Sequence, residues 1–549
     1  MVQNSFKFFF NSFVRPHILT FGILLALNFF SLIFSFVSPL LTKSLVDDVF
    51  IGKKVEIFVY IIIGIIGIYC ISSISGYFAG YTSGKLQLVL LKEVSESAFN
   101  IVQSTSIKST HGMKVGDLIT RIMGNTQVAI NIPVSVIPHF VMSIISIIVP
   151  FFIMLSLNAP LALIITSPVI LFVLSSFIFG KKMEIIQKAF LEINGEVYSF
   201  LKENISIIPL IKVFGLEKWS QNRFKNQMDN YYAISIGYTK VNSMNASLSA
   251  LILGIPVVLL AFFGGYMVLN GIISIGTFTA FISYISIFFS PISQLSNFWT
   301  SYKSALPAFD RVKEIFDMEH EISGHKEIEI KNGEIQLENV WFSYGERPIL
   351  NGVSAIFGKG LNYIVGDNGA GKSTILNLIC LFYPVDNGII KLEGHNIAEI
   401  KKDCLNRNIS MIFSEPYIFD GSIYENIQIG NLNASMDQVI QVAKKVKIHE
   451  FIESTPARYD TQVGENGIAL SSGEKQKIAL ARAILKNSPI ILLDEVTKSI
   501  DTDSRESINE VIKDLKNEKT IIIVTHNVDE IEQDSNIVYL KQEAKCITN

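Results

Sequence analysis

Four long stretches of this chain contain no Asp, Glu, Lys or Arg: residues 16–42, 57–84, 122–180 and 241–302. A helix that crosses a bilayer needs about 20 apolar residues. A soluble core could hide one such run, but not four. The first two stretches hold one span each. The third and fourth, 59 and 62 residues long, hold two each, with breaks at Leu157-Asn158-Ala159-Pro160 and Asn270-Gly271. The reading is six membrane helices, at about 17–41, 57–80, 132–156, 159–180, 247–269 and 272–296. A cleaved leader does not explain the first, which is too long for a leader's apolar region and precedes no small-residue cleavage site.

The rest of the chain differs in kind. Residues 1–303 carry 20 Lys/Arg and 12 Asp/Glu, whereas residues 304–549 carry 26 and 37. An apolar, mildly basic half is joined to a polar, acidic one. The net charge of −3 argues against bulk nucleic-acid binding. Cys70, Cys380, Cys404 and Cys546 show no paired spacing, which excludes a disulfide scaffold or a zinc ribbon. The expected division is a membrane domain over 1–308, a charged linker over 309–332 and a second domain over 333–549.

Lys and Arg of short loops stay on the cytosolic side. Segment 85–121 carries Lys85, Lys92, Lys108, Lys114 and Arg121, and segment 181–240 carries nine such residues. Both segments and both termini are therefore placed in the cytosol. Helical spacing continues through Leu86–Val102 and Met183–Val213, so helices 2 to 5 are expected to run on into the cytosol. They turn at tips near Ile107–Gly116 and Gly215–Phe224. No Asp, Glu, Lys or Arg lies inside a span, which argues against an ion-driven carrier. His139 is the exception and is read as a packed, neutral, hydrogen-bonded side chain. Pro133, Pro138, Pro150, Pro168 and Pro256 are candidate kink sites.

In the second half, Gly360-Leu-Asn-Tyr-Ile-Val365 reads as a short strand and Thr374–Cys380 as a helix. Between them stands Gly366-Asp367-Asn368-Gly369-Ala370-Gly371-Lys372-Ser373, a phosphate loop in its required strand–loop–helix setting. Its glycines let backbone N–H groups curl around phosphate oxygens, and the helix N-terminus adds partial positive charge. Lys372 is assigned to the β- and γ-phosphates and Ser373 to magnesium. The apolar strand Pro489–Asp494 ends in Asp494-Glu495. Asp494 is read as a holder of the magnesium shell and Glu495 as the group that polarises an attacking water. His526, at the polar tip of the strand beginning at Ile521, is a candidate γ-phosphate contact.

Leu470-Ser471-Ser472-Gly473-Glu474-Lys475-Gln476 resembles the signature motif of ATP-binding cassette (ABC) proteins. Six spans followed by one cassette resemble an ABC exporter half-transporter with long intracellular helices. That resemblance implies an all-α six-helix transmembrane domain followed by an α/β phosphate-loop ATPase domain with a helical subdomain. It implies ATP and Mg2+ as cofactors, with Gly366–Thr374 on the nucleotide. Tyr344 is implied to stack on adenine. Ser471, Ser472, Gly473 and Glu474 are implied to meet ATP held by a second cassette, with Asp501 across the same interface. Ser471 and Gly473 also suit a local helix cap. The chain departs from the family at Ser414, where Gln is usual and ligates magnesium, at Ser472, where Gly is usual, and at Glu474, where Gln is common.

The expected unit is a dimer with a second half-transporter chain in a lipid bilayer, with no nucleic-acid partner. It would move an amphipathic or apolar small molecule, lipid or peptide. The first span begins near residue 17, so a fused leader-cutting peptidase is not expected. Ile-, Lys- and Asn-rich usage points to an AT-rich bacterial source and hence to the cell (inner or plasma) membrane. The alternatives are an ATP-gated regulator or channel without transport, and one subunit of a heterodimeric exporter.

Overall fold

A computed structural model describes residues 2–110, 113, 115–345, 347–464, 467–498, 500–526, 531–541 and 544–548. The chain forms two compact units. One comprises Met1–Asn100 with Lys114–Asp317, the other Ile101–Met113 with Met318–Asn549.

The first unit is helical. Among the described residues five helical runs are long and apolar enough to cross a membrane: Asn4–Ile51, Val55–Ser104, Val115–Leu157, Glu217–Leu269 and Ile275–Ile292. The sixth expected span, 159–180, is a shorter apolar stretch, Ala159–Ser175. It breaks into α-helices Ala159–Thr166 and Val169–Ser206 because Ser167-Pro168 interrupts the helix. The side chains of 176–180 lie outside the described residues. The two expected hairpin breaks fall where they were read. Asn158 leaves the helix with φ −162° and caps the next one by accepting from Leu161 N at 3.0 Å. Gly271 takes φ +68°, and Ser274 caps the last membrane helix by accepting from Thr277 N at 3.0 Å.

The helix Val55–Ser104 has 50 residues. At 1.5 Å per residue it measures about 75 Å, more than twice the ~30 Å hydrocarbon core. It therefore extends well outside the membrane, as the spacing predicts. Helices Val169–Ser206 and Glu217–Leu259 pair along their polar lengths, Phe190 stacking on Tyr238 at 4.8 Å and Phe200 on Phe224 at 5.8 Å. Tyr198, Ile205, Tyr232 and Ile236 of this pair remain exposed.

Three expectations need correction. The last membrane helix, Ile275–Phe316, runs through the first eight residues assigned to a linker. Phe309, Val312 and Ile315, one helical face, are all buried, and Phe309 packs edge-on against Phe6 and Phe9 at 5.2 and 5.3 Å. The second cytosolic turn lies at 207–216 and overlaps the expected range only at Gly215 and Leu216. Pro209 starts the short helix Ile208–Val213, Gly215 turns the chain at φ +59°, and helix resumes at Glu217. His139 is exposed rather than packed.

The first tip holds a short helix, Ile107–Thr110; residues 111, 112 and 114 lie outside the described residues. It groups with the second unit through backbone bonds. Ser106 N donates to Glu319 O and Glu321 N to Ser104 O, both at 3.0 Å.

The second unit is α/β. Strands are β1 Ile335–Tyr344, β2 Arg347–Phe357, β3 Gly360–Gly366, β4 Asn387–Leu392, β5 His395–Asn396, β6 Ile409–Ile412, β7 Ile490–Asp494, β8 Thr520–Thr525, β9 Asn536–Lys541 and β10 Ala544–Thr548. A two-stranded antiparallel ladder, Gly421–Ser422 with Gln462–Val463, stands apart. An antiparallel sheet has the order β2-β1-β4-β5, and a six-stranded sheet the order β10-β9-β3-β8-β7-β6. In the second, β9, β3, β8, β7 and β6 run parallel. Strand β8 is buried at all six positions and β7 at four of five, as parallel strands covered on both faces require.

Candidate nucleotide site

The register of the parallel sheet brings the candidate residues together. Val365 pairs with Thr525, and Val524 with Asp494. The chain ends of β3, β7 and β8 therefore share one edge, the side on which open parallel sheets carry their ligands. Gly366–Gly371 leaves β3 there, and helix α1 (Lys372–Ile379) follows.

The loop has the conformation its glycines permit. Gly369 and Gly371 take φ +84° and +90°, and Ala370 N donates to Asp367 O at 3.2 Å. A Cβ on Gly371 would stand 2.6 Å from Leu350 Cδ2 and 3.0 Å from Ile349 Cγ2 on β2. A Gly371→Ala chain combines that crowding with left-handed strain of about 1–3 kcal/mol. The expected result is a rise in ATP Kd of about tenfold, read by titration with a fluorescent nucleotide. Wild-type affinity would refute it.

Lys372 is buried and folds back across the loop, its Nζ donating to Gly366 O at 2.8 Å and Asp367 O at 3.1 Å. Those carbonyls hold the ammonium at the loop mouth. Ser373 Oγ donates to Asp494 Oδ1 at 2.7 Å, so the two assigned magnesium ligands already meet. Thr374 is buried behind them, whereas Asp367, Asn368 and Gly369 are exposed. Burial raises the Asp494 carboxyl above its ordinary value, and the neighbouring Glu495 charge adds to that against the Ser373 hydrogen bond.

Glu495 follows Asp494 with φ +48°, a left-handed conformation unusual for a non-glycine residue. Its N donates to Val524 O at 3.1 Å. One carboxylate oxygen accepts from Lys498 Nζ at 2.6 Å, and the other lies 3.6 Å from His526 Nδ1, beyond hydrogen-bond range. Burial alone would raise the Glu495 carboxyl. The Lys498 hydrogen bond and the charges of Lys498, His526 and Lys372 outweigh it and hold the carboxyl below its usual value.

The signature residues gather at a second place. Helix α2 (Ser472–Lys486) opens with a capping box in which Ser471 Oγ accepts from Glu474 N at 3.3 Å and Glu474 Oε2 accepts from Ser471 N at 2.7 Å. Ser472 is exposed at the first turn. Asp501 caps helix α3 (Thr502–Leu515), accepting from Ser504 N at 2.8 Å. Gly473 packs between these caps; a Cβ there would stand 2.5 Å from Ser504 Oγ and 3.0 Å from Asp501 Oδ1. Among the described residues, no hydrogen bond joins Ser471, Gly473, Glu474 or Asp501 to residues 366–374. Tyr344 ends β1, half-buried, edge-on to Phe342 at 4.8 Å and Tyr383 at 5.2 Å.

Ser414 is exposed, and its carbonyl accepts from Gln476 Nε2 at 2.8 Å. Gln476, buried in α2, thus ties the Ser414 loop to the signature helix, a contact sequence reasoning missed. Lys498 was missed also. The only signal for it was a lysine three residues after the proposed base.

The chain matches the family description "ABC transporter transmembrane region" over residues 21–292 and "ABC transporter" over residues 350–498. It is 29% identical over 477 residues to multidrug export ATP-binding/permease proteins of Staphylococcus aureus, strains NCTC 8325 and bovine RF122. Those alignments cover 86% of this chain and 82% of each relative. Its fold is similar to that of a bacterial Atm1-family ABC exporter solved with ATP bound, with a TM-score of 0.79 at 22% identity, over 97% of this chain and 95% of that one. With a transmembrane region and a cassette matched in that order along one polypeptide, the chain belongs to the ABC transporter family.

Proposed function

We propose that this chain is an exporter half-transporter of the cell membrane that hydrolyses ATP in its cytoplasmic cassette to move an amphipathic or apolar compound outward. The observation that carries this is the shared sheet edge: Lys372, Ser373, Asp494, Glu495 and His526 meet there in a chain that also holds membrane-length helices. The named Staphylococcus aureus relatives support drug-like cargo.

The residues present fit magnesium. Ser373 and Asp494 offer hard oxygen donors 2.7 Å apart, and Mg2+ at such sites takes one or two protein oxygens plus phosphates and water. When bound, magnesium would neutralise charge on the transferred phosphoryl group. The glycine-loop amides and Lys372 hold the phosphates. Glu495 takes a proton from the attacking water, and His526 contacts the γ-phosphate. Tyr344 carries the adenine.

Each site needs a second cassette, which we assign to an identical chain. Ser471, Gly473 and Asp501 would face ATP held by that partner. The exposed apolar side chains of the paired helices Val169–Ser206 and Glu217–Leu259 support a membrane-domain partner too. ATP bridging both cassettes favours the closed state alone, so binding drives closure and hydrolysis reverses it. ATP-dependent uptake of a fluorescent amphipath into inverted proteoliposomes tests the proposal. A regulator or channel would hydrolyse ATP without accumulating it.

Ser414 would reach magnesium through water, being shorter than the family's Gln and lacking its amide. The expected result is that Ser414→Gln raises the ratio of substrate-stimulated to basal ATPase. An unchanged ratio, with Glu415→Gln abolishing magnesium-dependent hydrolysis, would transfer the role to Glu415.

A further inference from the structure

We propose that Lys498 is a positioning residue for hydrolysis: its ammonium pins the Glu495 carboxylate in the separated cassette and keeps turnover slow until a second cassette closes on the site. This rests on the reading of Glu495 as general base. The contact is built into the backbone. Glu495, Val496, Thr497 and Lys498 form a turn closed by Lys498 N donating to Glu495 O at 3.0 Å. That turn sets the lysine side chain beside the carboxylate, where Nζ donates to Oε2 at 2.6 Å. The Glu495 side chain is 15% exposed and that of Lys498 is 51% exposed.

A general base needs a carboxylate oxygen directed at the attacking water within about 2.6–3.2 Å. On Glu495, Oε1 looks toward His526 and Oε2 is taken by a short, charge-assisted bond. Lys372 is the other charged group acting on this carboxylate, and Glu495 in turn acts on the neighbouring Asp494. Of the two lysines acting on it, Lys498 is the one free to leave. Its stem is long and flexible and its side chain is half exposed, whereas Lys372 is buried under the loop carbonyls. Arriving phosphates give the ammonium a second, more highly charged anion. Closure at Asp501, three residues on, reshapes the same loop. The lysine then swings off and the carboxylate turns to the water.

Turnover of the full-length transporter in lipid nanodiscs tests the latch. In Lys498→Ala and Lys498→Ser, kcat without transport substrate is expected to rise about two- to fivefold, the factor by which one partly exposed ion pair biases a two-state equilibrium. The KM for ATP should change less than kcat, since the phosphate loop and Lys372 supply the main phosphate contacts. Lys498→Arg, which keeps the pair, should turn over at the wild-type rate. A lysine serving only local stability would not raise kcat. An unchanged or lower kcat in both Ala and Ser variants overturns the latch. Glu495→Gln in parallel separates the two claims: its inactivity with no gain from Lys498→Ala sinks the latch alone, while its normal activity sinks the general-base reading itself.

Discussion

Replacing Glu495 by Gln is expected to cut ATP turnover by about 10²-fold or more while ATP binding persists. That is the usual size of a lost general-acid–base contribution. Gln keeps the size of the side chain, so the left-handed turn at φ +48° and the backbone bond to Val524 O survive. Lys372, the loop glycines and the Ser373–Asp494 pair, which hold the nucleotide, are untouched. Only the proton acceptor is gone. A variant that binds ATP but does not split it should accumulate as a closed dimer, visible by crosslinking or electron microscopy. Near-normal hydrolysis would falsify the assignment.

The second large effect is complementation between two inactive chains. Lys372→Ala removes the ammonium that the loop carbonyls hold for the phosphates. Gly473→Asp fills the space between the Ser504 and Asp501 side chains and disrupts the N-terminus of the signature helix. Each pure dimer should lack detectable ATPase. A mixed dimer places both defects in one composite site and leaves the other intact, so activity should return. Tagging the two chains differently and purifying on both tags isolates that species. Inactive mixed dimers, or full activity in a verified monomer, would exclude shared sites.

Much of the layout of this site was legible in the residues alone. Lys372 and Ser373 were placed by a loop whose glycines have one purpose, and Asp494 by the apolar strand that precedes it. Both assignments rest on local chemistry, where short sequence and backbone conformation determine each other. The six-span reading had the same character, because the cost of a charge in lipid is paid residue by residue. The errors came from packing. Polar residues around Phe309 suggested a linker, but Phe309, Val312 and Ile315 have a buried surface to cover and stay helical. His139 was assigned a packed role and is exposed, since which face of a helix is covered depends on its neighbours.

By itself the sequence determined the two-part architecture, the membrane-length runs, the phosphate loop and the carboxylates after β7, because hydrophobic length and motif spacing act over a few residues. Only the tertiary structure decided which of those residues meet. Strand register brought Asp494 to Ser373 across 121 positions. Gln476 reached the Ser414 carbonyl from another helix, and a tight turn closed Lys498 onto Glu495. Those contacts follow from how strands align and loops fold back, and residue type along the chain does not specify them.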